Sequence, residues 1–507
     1  MPNSHQNVTK NCPKALTKLA LASMVLTAAS NIPAQALTLN LSYGEGTTIE
    51  QMSAFEAAGD VWSAYFTDDI TLNIHVEMTA LLPDNVLGGA IPGFINDQSY
   101  APYVNALRND DMKSQDDQNA YLNSGGISPL DIKVGDLILR DVKAVDITRA
   151  NAKAVGLRDA QDGTMDAYIL MNDLSENSFL HWNYDFANPI EGINNLTLDF
   201  YSVALHEIGH ALGFVSGLDN KETFFQEISS AINQTEQLDI DELRVLGVEQ
   251  ALDEVLDEGT AIFNQLVTDY NTNNYDINPA TSLDLFRQST ATQGDNNLID
   301  LTVGADAFFA IDGTSQLAYF STGEDTTAGG DGYQGSHWKD QGYFNDPLGI
   351  MAPSIGLGQR REIKELDLRA LDVIGLNRAT NPNIDISQIA IDVANRVGNH
   401  LIADKTTEVL DMIAESEVYK WGYGNGNGNG NGNGNGNCNP NCNSYPQVLA
   451  EILTDEGLFS QAYWSTFDAE SKPVEVPEPG IKIGLIGLSL WLSSSLLKRN
   501  TKHNELN

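Results

Sequence analysis

The stretch HEIGHALGF, residues 206–214, constrains this chain more than any other part of the sequence. Apolar residues at helical spacing predict a helix over 196–214, which puts His206 and His210 on one helical face. Two such imidazoles can hold one metal ion, and Glu207 can take a proton from a metal-bound water. Histidine ligands with an open coordination position suit zinc, whose bound water ionises near neutral pH. The stretch therefore predicts two ligands and a general base, with Gly213 ending the helix.

A catalytic zinc site of this kind needs a third protein ligand, which the stretch itself does not contain. Six residues after His210, where many sites of this type place it, stands Ser216, whose neutral hydroxyl is a poor zinc ligand. Asp219 is a carboxylate three positions further on. Glu362 and Glu365, on a later predicted helix, would also satisfy zinc chemically.

We favour a histidine further along the chain as the third ligand. His337 stands in a glycine-rich loop, GDGYQGSHWKDQGYFNDPLGIMAP, that ends at Met351-Ala352-Pro353. A loop histidine followed by a methionine-containing turn offers both a ligand and an apolar floor beneath the imidazoles. The remaining histidines after residue 36 are His75, His181, His400 and His503.

These motifs in this order carry a resemblance to a known family. His206-Glu207-x-x-His210, the Ser336-His337-Trp338 loop and the Met351 turn resemble leishmanolysin, a metzincin whose third histidine is displaced by an inserted domain. The resemblance spans roughly residues 196–376 and implies a zincin-like catalytic domain with endopeptidase activity. It also implies zinc ligands at His206, His210 and His337, a general base at Glu207 and a Met-turn at Met351.

The hydrophobic pattern predicts an α+β domain over residues 37–380, with a twisted mixed sheet and a central active-site helix. A large, mainly helical insertion is expected at 218–336, with short strands in its second half. The predicted strands are 37–43, 70–78, 165–173 and 179–186. The predicted helices are 49–66, 99–124, 196–214 and 361–376.

Beyond this domain the composition changes abruptly. Residues 381–421 predict a helical extension, and 422–443 form an Asn/Gly-rich linker that cannot build a core. A short C-terminal segment follows at 444–470. Cys438 and Cys442, in CNPNC, could form a small local disulfide in an oxidising compartment.

Both ends of the chain read as export signals. Residues 1–36 carry Lys10, Lys14 and Lys18 before an apolar run and a small-x-small cleavage pattern, which predicts a signal peptide. Residues 471–507 contain VPEP, an apolar span at 481–497 and a basic end, and this order resembles the PEP-CTERM sorting signals of bacterial exported proteins. The resemblance implies a transmembrane span and processing by an exosortase-type enzyme. A plain C-terminal anchor is the alternative.

Charge restricts the partners that the chain could bind. The formal net charge of −41 gives no reason to bind nucleic acid or an anionic membrane face, and it suits a soluble exported protein. The Asp/Gly-rich stretches at 159–166 and 325–333 read as turns, with Ca²⁺ binding as a weak alternative because neither has EF-hand spacing.

We therefore expect an exported zinc metalloendopeptidase, placed at the cell surface or in the extracellular matrix, that acts on proteins or peptides. Its partners would include the export machinery and the exosortase-type enzyme. The alternative is a non-enzymatic surface or matrix protein that retains a zinc site for stability. An intact Glu207 favours the enzyme, because a structural zinc site normally fills its fourth position and has no use for a general base.

Overall fold

The computed structural model describes residues 37–218 and 280–415, apart from short gaps at 81, 83–85, 111–113, 123–129, 136, 176–179, 189–196, 296, 343–346, 398–401 and 404, together with 461–463. The predicted signal peptide, the first half of the predicted insertion, the Asn/Gly-rich linker and the sorting tail with its apolar span lie outside these residues. Within the described part of the chain, no helix has the length and apolar character needed to cross a membrane.

The described chain contains both helices and strands, and the fold is α+β with open sheets, as the sequence predicts in general terms. The helices are α1 (Ile49–Tyr65), α2 (Tyr100–Asn109), α3 (Gln115–Asp117), α4 (Arg149–Ala154), α5 (Phe200–Ala211), α6 (Glu365–Val373), α7 (Ile386–Arg396) and α8 (Thr406–Glu415). The strands are β1 (Thr38–Tyr43), β2 (Thr71–Thr79), β3 (Val86–Pro92), β4 (Phe94–Ser99), β5 (Leu130–Val134), β6 (Leu137–Val142), β7 (Ala144–Thr148), β8 (Ala167–Asn172), β9 (His181–Asn183), β10 (Thr197–Asp199), β11 (Arg287–Gln288), β12 (Leu298–Asp300), β13 (Phe308–Phe309), β14 (Ala318–Tyr319) and β15 (Gln461–Tyr463).

The largest sheet is mixed, with the strand order β1-β2-β8-β3-β15. Strands β1, β2 and β8 run parallel, whereas β3 is antiparallel to β8 and β15 is antiparallel to β3. Strand β8 is buried on both faces: Ile169 and Met171 belong to one core cluster, and Tyr168 and Leu170 to another. Since successive side chains of a strand point to opposite faces, the sheet has apolar packing on each side.

Helices α1 and α5 pack together on one face of this sheet. Phe55 of α1 meets Phe200 of α5 edge to face at 5.6 Å, and the Trp62 indole N–H donates to the Leu205 carbonyl at 2.9 Å. Every residue of α5 is buried, including the polar residues Ser202, His206, Glu207 and His210. The opposite face is covered by α8 through Val409 and Met412, among others. Helix α5 is therefore central to the fold.

The start of α5 is fixed by charge. Asp199 caps the helix by accepting from the Ser202 N–H, and its carboxylate also receives Arg360 through two hydrogen bonds of 2.9 Å. An anion at a helix N-terminus is favoured by the helix dipole. Because Arg360 belongs to the segment after Met351, this contact ties that segment to the start of α5.

Residues 280–336, the second half of the predicted insertion, contribute to the main core. Phe286, Phe309 and Phe320 join its apolar cluster together with Trp338, and short strands occur there as predicted. The Arg287 guanidinium lies 4.8 Å from the centroid of the Phe320 ring. The part of the insertion that was predicted to be helical, 219–279, lies outside the described residues.

Candidate metal centre

Helix α5 presents His206 and His210 one turn apart, as the spacing predicts. Their Nε2 atoms lie 3.0 Å apart, and both side chains are buried. The helix ends at Ala211, and Gly213 follows with a φ of 118°, which an L-residue with a side chain rarely adopts. A Cβ at Gly213 would also lie 2.6 Å from the Asn151 amide, so glycine is needed here for two reasons.

His337 reaches the same point from the distant glycine-rich loop. Its Nε2 lies 3.2 Å from Nε2 of His206, and the two rings are nearly parallel. The ligating atoms of the three histidines all fall within 4.8 Å of one another, so the group could hold a metal ion. No other group of three such ligands lies close together in the described part of the chain.

Backbone carbonyls fix the tautomer of each ring. His206 Nδ1 is 2.8 Å from the Ile350 carbonyl, His210 Nδ1 is 2.6 Å from the Phe214 carbonyl, and His337 Nδ1 is 3.2 Å from the Gln334 carbonyl. Because a carbonyl oxygen only accepts, each Nδ1 must carry the proton and each Nε2 keeps its lone pair. Three lone pairs therefore converge on one point. Tetrahedral zinc with bonds of about 2.0–2.1 Å needs ligand nitrogens about 3.3 Å apart, close to the 3.0 and 3.2 Å that separate Nε2 of His206 from Nε2 of His210 and of His337.

Burial keeps these imidazoles neutral. It lowers the pKa of His206 to about 4, although the hydrogen bond to Ile350 opposes the effect. Burial also lowers the pKa of His210 and of His337 well below the ordinary histidine value, and the neighbouring histidines add to the effect. Neutral histidine is the form that binds metals, so the site is prepared for a cation at neutral pH.

Glu207 follows His206 on α5 and is buried like the three histidines. Its side chain is fully buried, and neither carboxylate oxygen has a hydrogen-bond partner among the described residues. Burial raises the pKa of Glu207 well above the ordinary glutamate value. A Cβ at Gly88 of β3 would approach Glu207 Oε1 to 3.1 Å, so that strand passes directly beside the carboxylate. A buried carboxylate with no donor among the described residues is rare in folded proteins.

Met351 lies directly against α5. It is fully buried, and a Cβ on Gly209 of α5 would overlap its sulfur atom. The Met351 carbonyl accepts a 3.0 Å hydrogen bond from the Trp338 N–H, next to His337. Gly209, the glycine of HEIGH, is therefore required for packing, because it lets the Met351 turn lie directly against α5.

Of the other candidate ligands, those among the described residues are not part of this group. Ser216 is hydrogen-bonded to Asp284 and Ser336, and Asp219 lies outside the described residues. Glu362 is exposed, and Glu365 forms an ion pair with Arg378.

The remaining histidines and the two Asp/Gly-rich stretches lie elsewhere. His75 is buried beside the Ser42 hydroxyl, His181 is exposed, and His400 and His503 lie outside the described residues. The stretches at 159–166 and 325–333 form turns, as predicted. In them, Asp162 accepts from Thr164, and Asp325 caps a short 3₁₀ helix by accepting from Thr327 and Ala328.

Asp367 was not among the predicted site residues, yet it lies directly behind the centre. This fully buried carboxylate accepts hydrogen bonds from the Trp338 indole and from the backbone of the Met351 turn. Burial raises the pKa of Asp367 to about 6, while its donors act in the opposite direction. In the sequence, Asp367 stands three residues after Lys364, at the start of a helix. An acidic residue at this position usually indicates only a helix cap.

Comparisons with models of protein families, with curated proteins and with solved structures found no match for this chain.

Proposed function

We propose that this chain is an exported zinc-dependent endopeptidase with a metzincin-like catalytic domain. The observation that carries the proposal is the buried Glu207 carboxylate, which has no hydrogen-bond partner among the described residues, beside three histidines whose Nε2 lone pairs converge. Ligands of this type in a tetrahedral arrangement suit zinc, and three ligands leave one position open. The metzincin assignment rests on the order of the HExxH, SHW and MAP motifs together with the contact between Met351 and Gly209.

When bound, zinc would lower the pKa of a coordinated water to about 7 and polarise a substrate carbonyl. In this proposal Glu207 would take the proton of that water and deliver it to the leaving amine. Its burial favours this exchange, since a carboxylate with a raised pKa accepts a proton more readily than an exposed one. The hydrogen bonds at the three Nδ1 atoms keep the ligands in position throughout.

An extended peptide substrate would bind along strand β3. This strand is antiparallel to β8, and its Gly88 passes beside Glu207. The backbone of β15 pairs with the outer edge of β3 at Gly89 and Val86, which indicates that this edge accepts an added antiparallel strand. A peptide bound in the same way would run past the Glu207 carboxylate, a common mode of recognition at sheet edges.

The proposed location rests on the sequence of the two ends. The signal peptide at 1–36 and the PEP-CTERM-like tail at 471–507 support export, exosortase-type processing and a place at the cell surface or in the matrix. The acidic net charge of −41 suits a soluble protein in that setting.

The decisive experiment compares Glu207→Gln with the wild-type chain after signal-peptide removal. Casein or peptide cleavage should fall by about 10²–10⁴-fold, because the amide cannot act as a general base. Bound zinc, measured by elemental analysis, should remain at the wild-type level. Glu365→Gln is the matched control, since this exposed glutamate lies outside the centre.

Two results would contradict the proposal. Wild-type protein that binds zinc but cleaves neither casein nor a peptide library would favour a non-enzymatic protein with a structural zinc site. Full activity of Glu207→Gln would remove Glu207 from the mechanism.

A further inference from the structure

We propose that Asp367 is a positioning residue of the metal centre, where its carboxylate locks the loop that carries His337 to the turn that orients His206. The inference rests on the proposed metal centre and adds to it a residue that touches neither metal nor substrate. It is argued from the hydrogen bonds of one buried side chain.

Each oxygen of the Asp367 carboxylate accepts from two donors. Oδ1 accepts from the Trp338 indole N–H at 2.8 Å and from the Met351 N–H at 3.3 Å. Oδ2 accepts from the Ile350 N–H at 2.8 Å and from the Lys364 N–H at 2.7 Å. One carboxylate thus joins three segments: the ligand loop, the turn and the start of α6.

The contact with the turn leads directly to His206. Ile350 donates its N–H to Asp367, and its carbonyl accepts from His206 Nδ1 at 2.8 Å. Ile350 therefore connects the Asp367 carboxylate to the carbonyl that fixes the tautomer and orientation of the His206 ring. Removal of residues that hydrogen-bond to metal ligands lowers the affinity for the metal.

The contact with the ligand loop leads to His337. Trp338 follows this ligand directly, and its ring is fully buried against Phe214 and Phe320. The Trp338 N–H also donates to the Met351 carbonyl at 3.0 Å, so the loop and the turn are joined twice. Movement of the Asp367 carboxylate would disturb both connections together.

The surroundings of Asp367 indicate that an acceptor-only group is required there. A Cβ on Gly349 would overlap the carboxylate, so the turn has been left open for it. Asp367 also lies in the first turn of α6, where the helix dipole favours an anion. An asparagine would keep the shape but turn an NH₂ group toward two of the donors.

The test measures metal binding by the full chain and does not depend on peptidase activity. Zinc affinity of wild type and Asp367→Asn is compared by chelator competition, and ligand geometry by the visible absorption of the Co²⁺-loaded proteins. We expect Asp367→Asn to bind zinc about 10–100-fold more weakly, with an altered Co²⁺ spectrum. Asp372→Asn is the matched control, because Asp372 is a second buried aspartate on the same helix and should leave both readouts unchanged.

Trp338→Phe keeps the proposal testable if Asp367→Asn does not fold. It removes one donor to the carboxylate and retains an aromatic ring, so it should weaken zinc binding and alter the Co²⁺ spectrum in the same direction. The proposal would be overturned if folded Asp367→Asn had the same zinc affinity and the same Co²⁺ spectrum as the wild type. If Asp367→Asn does not fold, the same result for Trp338→Phe would overturn it. Equal weakening by Asp372→Asn would also overturn it, since the effect would then follow from replacing any buried aspartate of α6 and not from the contacts of Asp367.

Failure of the proposed function would be recognised separately. Wild-type protein that binds zinc but cleaves no peptide would remove the peptidase assignment, while the comparison of zinc affinities would still decide the role of Asp367.

Discussion

The Ser216 hydroxyl donates a 2.5 Å hydrogen bond to Oδ1 of Asp284, and both side chains are buried. The other oxygen of Asp284 accepts from the backbone of Gly217 at 2.8 Å and of Thr281 at 2.9 Å. One carboxylate therefore joins the chain on either side of residues 219–279. Ser216 stabilises this junction and is not a member of the histidine group. It occupies the position, six residues after His210, where the third ligand would stand in a site without the long insertion.

The first prediction concerns the identity of the third ligand. His337→Ala should lower zinc affinity by more than the roughly 10–100-fold that is typical when a hydrogen-bond partner of a ligand is removed, because it removes a ligating nitrogen. Ser216→Ala and Asp219→Ala should keep a full equivalent of zinc, measured by elemental analysis after dialysis against a weak chelator. Zinc lost from Asp219→Ala and retained by His337→Ala would show that the assignment is wrong.

The second prediction is that acid removes activity before it removes metal. Burial raises the pKa of Glu207, so the base is lost to protonation at a higher pH than an ordinary glutamate would be. Burial lowers the pKa of His206 to about 4, so this ligand stays neutral well into the acid range. A bound cation lowers the pKa of both groups and preserves the order.

Activity and bound zinc should therefore be measured on the same samples from about pH 8 to about pH 4. We expect a reversible loss of turnover with zinc still bound, followed by zinc release at lower pH. Coincident loss of both would mean that metal release alone controls the acid limb.

The third prediction concerns Asp372 and stability. Burial, with repulsion from Asp117, raises the pKa of Asp372 to about 7, and one of its oxygens has no hydrogen-bond partner among the described residues. The folded state then binds more protons than the unfolded state between about pH 4 and 7, so stability falls as pH rises through this window. Since one pKa unit corresponds to about 1.4 kcal/mol, the ionised group costs at most about 4 kcal/mol at pH 8.

Asp372→Asn should therefore gain stability relative to wild type at pH 8 and show little difference near pH 4. Urea denaturation of both proteins at the two pH values measures this, with zinc content kept equal. A difference that does not change with pH would contradict the ionisation argument.

The fourth prediction is that a chain ending at Trp421 folds, binds zinc and cleaves peptides. Residues 424–437 carry no apolar side chain with which to dock on the domain. Truncation also removes β15, which pairs with β3 at only two registered positions and covers the edge proposed for substrate. We expect kcat/KM for a peptide to be at least as high as in the longer chain. Loss of folding, or a lower kcat/KM, would show that the C-terminal segment belongs to the catalytic unit.

The sequence predicted the elements with strong periodicity and missed those with mixed composition. β1, β2, β8 and α1 lie within two residues of their predicted bounds. The apolar side chains of β1 and β2 alternate, those of α1 recur every turn, and β8 is a short continuous apolar run. By contrast, β3 contains Gly88 and Gly89 and had no strand signal, although its pairing with β8 places it beside Glu207. Glycine lowers strand propensity, but here it allows the close approach that the site requires.

Helix ends and buried carboxylates were the harder features to predict. The single helix expected over 99–124 is broken after Asn109 and continues only as the short α3 and one π-helical turn. The roles of Asp284 and Asp367 depend on donors that lie far away in sequence, such as Gly217 and Trp338. No local pattern reports such contacts, whereas His337 could be found because histidines are few and the Met351 turn follows it.

The long separation of the third histidine has a consequence for folding order. His337 lies 131 positions after His206, and closing so long a loop costs about 2 kcal/mol more chain entropy than closing the ten-residue span to position 216. The junction at Asp284 shortens the effective loop, because it brings residues 215–218 and 280–284 together before His337 must arrive. We therefore expect His206 and His210 to become available with their helix, and metal capture to be among the last steps of folding.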